Sequence, residues 1–200
     1  MLCGVLATPA ASRPVTLVAL GDSLMAGYQL PASAALPAVL ERLMRSNGLD
    51  VRVENAGVSG DTASGGLERL DWAVGEGVSG VILALGANDM LRGVDPALTE
   101  RALDEIVTKL KARRIDVLIV GMLATPSLGA DFAAKYNAIY PRIAERYKAP
   151  LYPFLLQGVA QNPKLNLADG IHPNREGVEV IAKAMEPIVS RFVAQLAAKP

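Results

Sequence analysis

Cysteine and histidine are nearly absent from this chain, with one of each in 200 residues, Cys3 and His172. A single cysteine leaves no internal disulfide and no thiolate cluster, and a single histidine rules out the usual multi-histidine zinc sites. No metal or other cofactor is therefore expected, and any imidazole chemistry has to pass through His172. An excess of either charge is missing too, with 20 Lys and Arg against 20 Asp and Glu and no basic block. That argues against nucleic acid or an anionic membrane as an electrostatic partner. Aromatics are sparse (three Phe, one Trp, five Tyr), so there is no stacking platform for bases. No run approaches the roughly 20 apolar residues of a membrane span, so no integral membrane segment is expected.

What is present is an ordinary globular composition, 51% hydrophobic and 20% charged, in a chain long enough to bury one sizeable core. The opening Met1-Leu2-Cys3-Gly4-Val5-Leu6-Ala7-Thr8-Pro9-Ala10-Ala11-Ser12 is apolar and then rich in small residues. It is similar to the tail of a secretory signal peptide, although it is short and has no basic n-region. Residues 1–14 are read as a signal remnant or a floppy N-terminus, and residues 15–200 as a single domain. The expectation is a periplasmic or secreted protein, with a cytoplasmic one as the alternative.

From Val15 to Gly21 the chain is a buried, β-branched strand running into Gly21-Asp22-Ser23-Leu24. Leu36, Val39, Leu40, Leu43 and Met44 then recur at helical spacing and close at Asn47-Gly48, a good C-cap. Residues 51–56 alternate as a second strand ending at Gly57, and a polar turn leads into a helix through Leu67, Leu70 and Trp72. Residues 81–85 are a third strand. Asp95-Pro96 caps a helix carrying Leu98, Ala102, Leu103, Ile106, Val107 and Leu110 on one face. Residues 116–121 form a fourth strand, 131–148 a helix that Pro141 should kink or split, and 150–155 a weaker fifth strand. A last amphipathic helix carries Val178, Ile181, Ala182, Met185, Ile188, Val189, Phe192 and Leu196. Continuous apolar strands alternating with helices predict a three-layer, doubly wound α/β domain on a five-stranded parallel sheet.

Each of the first three strands ends in a small, polar, Gly-containing turn: Gly21-Asp22-Ser23, Gly57-Val58-Ser59-Gly60-Asp61 and Gly86-Ala87-Asn88-Asp89. In a parallel sheet these turns share one edge, where open α/β sheets bind ligands. Taken singly, each is also ordinary turn chemistry. Ser23, delivered by the end of a core strand, is a candidate nucleophile if the chain supplies a base. Asp169-Gly170-Ile171-His172 can supply one: a carboxylate three residues before an imidazole fixes its tautomer, and the other ring nitrogen takes a proton from a serine. The plainer alternative is that Asp169 caps the final helix and His172 is a surface residue before Pro173.

Gly75-Glu76-Gly77-Val78-Ser79-Gly80 formally fits a dinucleotide fingerprint, but it follows a helix and precedes a strand, so it is a loop. No Gly-x-Ser-x-Gly elbow occurs. Met25, Met90 and Met122 follow strand ends and are candidates to line an acyl pocket. Residues 123–131 are positioned to form a mobile substrate loop.

Gly21-Asp22-Ser23-Leu24, Gly60, Gly86-Ala87-Asn88-Asp89 and Asp169-Gly170-Ile171-His172, in that order, resemble the four blocks of the GDSL/SGNH hydrolase family. Within it, Asn55-Ala56-Gly57-Val58-Ser59-Gly60-Asp61-Thr62 and Asp169-Gly170-Ile171-His172-Pro173-Asn174 are most similar to the small bacterial thioesterase, lysophospholipase and arylesterase type. The resemblance implies a flavodoxin-like fold with Ser23 as nucleophile, His172 as base and Asp169 as its orienting acid. It also implies oxyanion donors at the Ser23 and Gly60 backbone N–H groups and the Asn88 side-chain amide. Glycine at 60 leaves room for the backbone to approach a ligand closely. Asp22 and Asp89 are expected to brace their turns. The expected activity is hydrolysis of short- to medium-chain acyl esters, thioesters or lysophospholipids by a monomer. The alternatives are a carbohydrate O-deacetylase of the same family and a non-catalytic flavodoxin-like binding module.

Overall fold

Three runs of apolar sequence form the middle of one sheet. In the computed structural model, which describes residues 14–199, these are β1 (Val15–Gly21), β3 (Gly80–Ala84) and β4 (Asp116–Val120), buried almost throughout. The alternating β2 (Val51–Gly57) and the two-residue β5 (Leu151–Tyr152) are the edges. All pairings are parallel, in the order β2-β1-β3-β4-β5. Parallel neighbours need long crossovers, and the helices supply them. The chain winds outward from β1 in both directions, so the order reverses between β1 and β3. That switch point leaves a crevice at the carboxyl ends of the strands. The signal-like residues 1–12 lie outside the described residues.

The crossovers and strand ends carry α1 (Ser23–Ala26), α2 (Leu36–Ser46), α3 (Ala63–Glu68), α4 (Leu70–Ala73), α5 (Ala87–Leu91), α6 (Pro96–Ala112), α7 (Ala130–Asn137), α8 (Ile139–Tyr147) and α9 (Arg175–Ala197). The helix α2 packs on α9 to make one layer, and α3, α7 and α8 gather around α6 to make the other. Asp95 caps α6 by accepting from the Ala97 N–H at 2.9 Å. Among the described residues no helix is long and apolar enough to cross a membrane.

Three departures from the expected elements have local causes. The helix through Leu67, Leu70 and Trp72 breaks at Arg69 into α3 and α4, and Trp72 is 73% exposed rather than packed. Leu98 is 49% exposed, and its place on the buried face of α6 goes to Thr99, whose hydroxyl donates to Asp89. The fifth strand shrinks to Leu151–Tyr152 because Pro150 and Pro153, on either side, have no N–H for the ladder. The helix over 131–148 is split, as Pro141 led one to expect, dividing at Ala138 into α7 and α8. Pro141 thereby falls in the first turn of α8, where a missing N–H costs no hydrogen bond.

Candidate active site

Ser23 is the first residue of α1, immediately after β1. Asp22 caps that turn, its Oδ1 accepting from the Leu24 N–H at 3.0 Å. The turn sits tightly on the neighbouring strand end, since a Cβ at Gly57 would lie 2.2 Å from the Ala26 backbone nitrogen. Only glycine allows that approach, so the end of β2 fixes the height of the Ser23 turn above the sheet.

His172 reaches this turn from 149 residues further along the chain, its Nε2 lying 2.9 Å from Ser23 Oγ. Asp169 Oδ2 is 2.7 Å from the Nδ1 of the same ring. The Asp169 Oδ1 accepts from the backbone N–H groups of Ile171 at 2.9 Å and His172 at 3.0 Å. These two amides, followed by the imidazole, hold the Asp169 carboxyl down to about 2. A carboxylate can only accept, so Nδ1 carries the proton and Nε2 is left to accept from the serine hydroxyl. The loop is pinned by the Leu167 N–H, which donates to the His172 carbonyl at 2.8 Å. Tyr28 lies against the imidazole, with ring centroids 4.4 Å apart. Sequence reasoning expected the Asp169-His172-Ser23 arrangement and missed Tyr28, for which no local pattern spoke.

The expected donors gather at three adjacent strand ends. Gly60 has φ +82°, and an added Cβ would meet nothing nearer than Arg92 Nη2 at 3.7 Å. The positive φ favours glycine on backbone grounds, and the open space beside it is consistent with a ligand approaching that backbone. Asn88, in α5, donates through Nδ2 to the Asp61 carbonyl at 2.9 Å and stands 3.4 Å from Asp22 Oδ2. One amide proton is thus spent on orienting the side chain, and the other is only loosely engaged. Among the described residues, neither the Ser23 nor the Gly60 N–H has a protein acceptor. Behind Asn88, Tyr136 donates to the Gly86 carbonyl at 2.7 Å and Tyr140 to that of Leu85 at 3.0 Å.

The two aspartates expected to be structural are so. Asp89 accepts from the Ala63 N–H at 2.9 Å and from the Thr99 hydroxyl at 3.2 Å. Asp22 is 1% exposed. Burial pushes it from its ordinary 3.8 up to about 6, against the opposing pull of the Leu24 amide and His172, and Asp61 adds to the rise. The folded state therefore binds this proton more tightly than the unfolded chain, and stability falls as pH rises from about 4 to about 6. The loss is about 3 kcal/mol, order of magnitude, for a shift of that size. Chemical denaturation at intervals from pH 4 to 7 should show this downward slope in the wild type and a flatter one in Asp22→Asn. A constant offset from the altered contact with Asn88 does not affect that comparison. Equal slopes would mean that Asp22 is not the group responsible.

Beside Ser23, Asn88 and His172 opens a cavity of about 520 Å³. Its apolar wall comes from successive strand ends, with Leu24 after β1, Met90 after β3, Met122 and Leu123 after β4, and Phe154 and Leu156 after β5. Met90 and Met122 are thus where the sequence placed them. Met25 is not in the wall but fully buried under the end of β1. Residues 123–126 of the expected substrate loop also line the cavity.

Residues 19–180 match the GDSL-like lipase/acylhydrolase family. The chain is 38% identical over 191 residues to thioesterase 1/protease 1/lysophospholipase L1 of Escherichia coli (strain K12), covering 93% of this chain and 90% of the relative. It is 34% identical over 180 residues to an arylesterase of Vibrio mimicus, covering 90% and 86%. Among solved structures, the SGNH-hydrolase family esterase AlinE4 is 40% identical with a TM-score of 0.76, over 92% of this chain and 98% of that one.

Proposed function

This chain belongs to the GDSL-like lipase/acylhydrolase family, and from that premise we propose that it is a serine esterase cleaving short- to medium-chain acyl esters, together with acyl thioesters and lysophospholipids. The observation that carries the reading is the continuous hydrogen-bonded line from Asp169 through His172 to Ser23, at 2.7 and 2.9 Å. Ser23 Oγ attacks the acyl carbonyl carbon while His172 Nε2 takes the hydroxyl proton. The Asp169 carboxylate stabilises the imidazolium that forms. The negative charge on the former carbonyl oxygen is received by the Ser23 and Gly60 N–H groups and the Asn88 amide. Losing one such donor costs roughly a hundredfold to a thousandfold in turnover. As the tetrahedral centre collapses, the bond to the leaving oxygen or sulfur breaks and His172 returns the proton to it. Water then attacks the acyl-Ser23 ester, gives its proton to His172 and releases the carboxylic acid, and Ser23 recovers its proton.

The apolar wall of the cavity suits the acyl chain. Each methylene moved from water into it is worth about 0.8 kcal/mol, or roughly a fourfold gain in kcat/KM. A series of p-nitrophenyl esters and acyl-CoAs of increasing chain length should therefore show kcat/KM climbing steeply from acetyl into the medium-chain range before it levels off. A flat series, or one that peaks at acetyl, would remove the cavity as the acyl site. Equal rates for wild type and buffer would remove the esterase reading itself.

A further inference from the structure

The most deeply buried ion pair at this edge of the sheet has no part in the proposed chemistry, yet it touches every segment that supplies an oxyanion donor. Arg69 Nε donates to Asp61 Oδ2 at 2.6 Å, and the two side chains are only 9% and 10% exposed. Arg69 Nη2 donates to the Gly21 carbonyl at 2.9 Å. That carbonyl lies two residues before Ser23 and also accepts from the Val58 N–H at 3.0 Å. Asp61 closes the turn that holds Gly60, its N–H donating to the Val58 carbonyl at 3.1 Å, and its own carbonyl orients the Asn88 amide at 2.9 Å.

We propose that Arg69 is a positioning residue, a planar strut joining the end of β1 to Asp61 and so setting the mutual spacing of the Ser23, Gly60 and Asn88 donors. The inference rests on the esterase reading given above and concerns how its oxyanion site is held. The donors come from three separate strand ends, which parallel pairing alone aligns only loosely once the ladder has ended. The guanidinium presents two donors at a fixed angle, which an ammonium cannot do. Stability alone does not account for the pair. Two buried charges are costly to desolvate, and an apolar pair of similar volume is often neutral or stabilising by comparison. This network also gives a cause for the break between α3 and α4, since Arg69 is the residue at which the helix parts.

The test separates geometry from stability. Arg69→Met alone strands the Asp61 charge, so the informative variant is Arg69→Met/Asp61→Asn, which removes both charges and keeps the volume. Its expected behaviour is a thermal transition near that of wild type, complete labelling of Ser23 by an organophosphonate, KM within threefold, and kcat about a hundredfold lower. That is the cost of misplacing groups by about 1 Å, and it falls on kcat because the interaction is made only in the transition state. A merely structural role predicts that kcat recovers along with stability, so a folded double variant with kcat within threefold of wild type would overturn the proposal. So would a change confined to KM. Should the double variant fail to fold, Arg69→Lys decides. It keeps the charge facing Asp61 but loses the fork, and kcat should fall roughly tenfold, whereas a wild-type kcat would again overturn the inference. An inert wild type that the phosphonate leaves unlabelled would instead defeat the esterase reading. The two failures are therefore distinguishable.

Discussion

Ser23→Ala is expected to lower the kcat for p-nitrophenyl ester hydrolysis by about 10⁶-fold while leaving the thermal transition nearly unchanged. In the proposed mechanism the substitution deletes the one atom that forms the covalent bond. Little else depends on it, because among the described residues the Ser23 hydroxyl makes one hydrogen bond, to the His172 ring nitrogen at 2.9 Å. Alanine is well accommodated in the first turn of a helix, and the Asp22 cap on the Leu24 N–H is untouched. The residue that remains still has its backbone N–H, so the proposed oxyanion donors persist. Some acceleration over water, on the order of 10³-fold to 10⁴-fold, should survive from them and from substrate binding. Phosphonate labelling should disappear altogether. A variant hydrolysing within tenfold of wild type, or a label carried by any other residue, would end the assignment of Ser23 and move the nucleophile elsewhere in the chain.

What could be read from the chain alone follows from the range over which each constraint acts. The strand at Val15–Gly21 announces itself through contiguous apolar residues, and Pro141 through a missing N–H, both properties of a short window. Asp169 and His172 are legible for the same reason, lying three residues apart in one turn. Their meeting with Ser23 is a long-range fact. It was accessible only because the chain has a single histidine and because parallel strands bring their carboxyl ends to one edge. Arg69 with Asp61 shows the opposite case. Eight residues apart, across a turn and the start of a helix, the two form no recognisable spacing. Arg69 also looks like any solvated charge on a helix face, and Trp72 beside it looks like a core residue although it is 73% exposed. Leu98 and Thr99 exchange expected roles for a related reason. The buried Asp89 carboxylate needs a donor, and satisfying it outweighs the burial of one leucine, a trade that periodicity cannot register. The shortness of β5 was written in Pro150 and Pro153, and the apolar residues between them masked it.

Asp169→Asn should cost about 10⁴-fold in kcat with little loss of stability, and the contrast between those two effects is what gives the experiment its force. In the wild type one oxygen of Asp169 serves the backbone, accepting from Ile171 and His172, and the other serves the ring. Asparagine keeps the first function, because its carbonyl oxygen can still accept both N–H groups and hold the loop. It reverses the second, because an NH₂ now faces Nδ1 and must donate to it. The ring proton is then forced onto Nε2, which can donate to Ser23 but can no longer take its proton. Asp169→Ala should be comparably inactive but less stable, since both loop hydrogen bonds go with the carboxylate. The sign of the pH dependence is also set. With its carboxyl held down to about 2, Asp169 stabilises the fold above the ordinary carboxylate range, and that contribution is lost only as pH falls towards 2. Any loss of wild-type activity on the acid side above about pH 4 therefore belongs to another group. Measuring kcat for wild type and both variants across pH 5 to 9, and thermal transitions down to pH 2, tests each step. If Asp169→Asn retained activity within tenfold of wild type, the carboxylate would not be orienting the base, and His172 would have to be held for catalysis by its backbone and by Tyr28 alone.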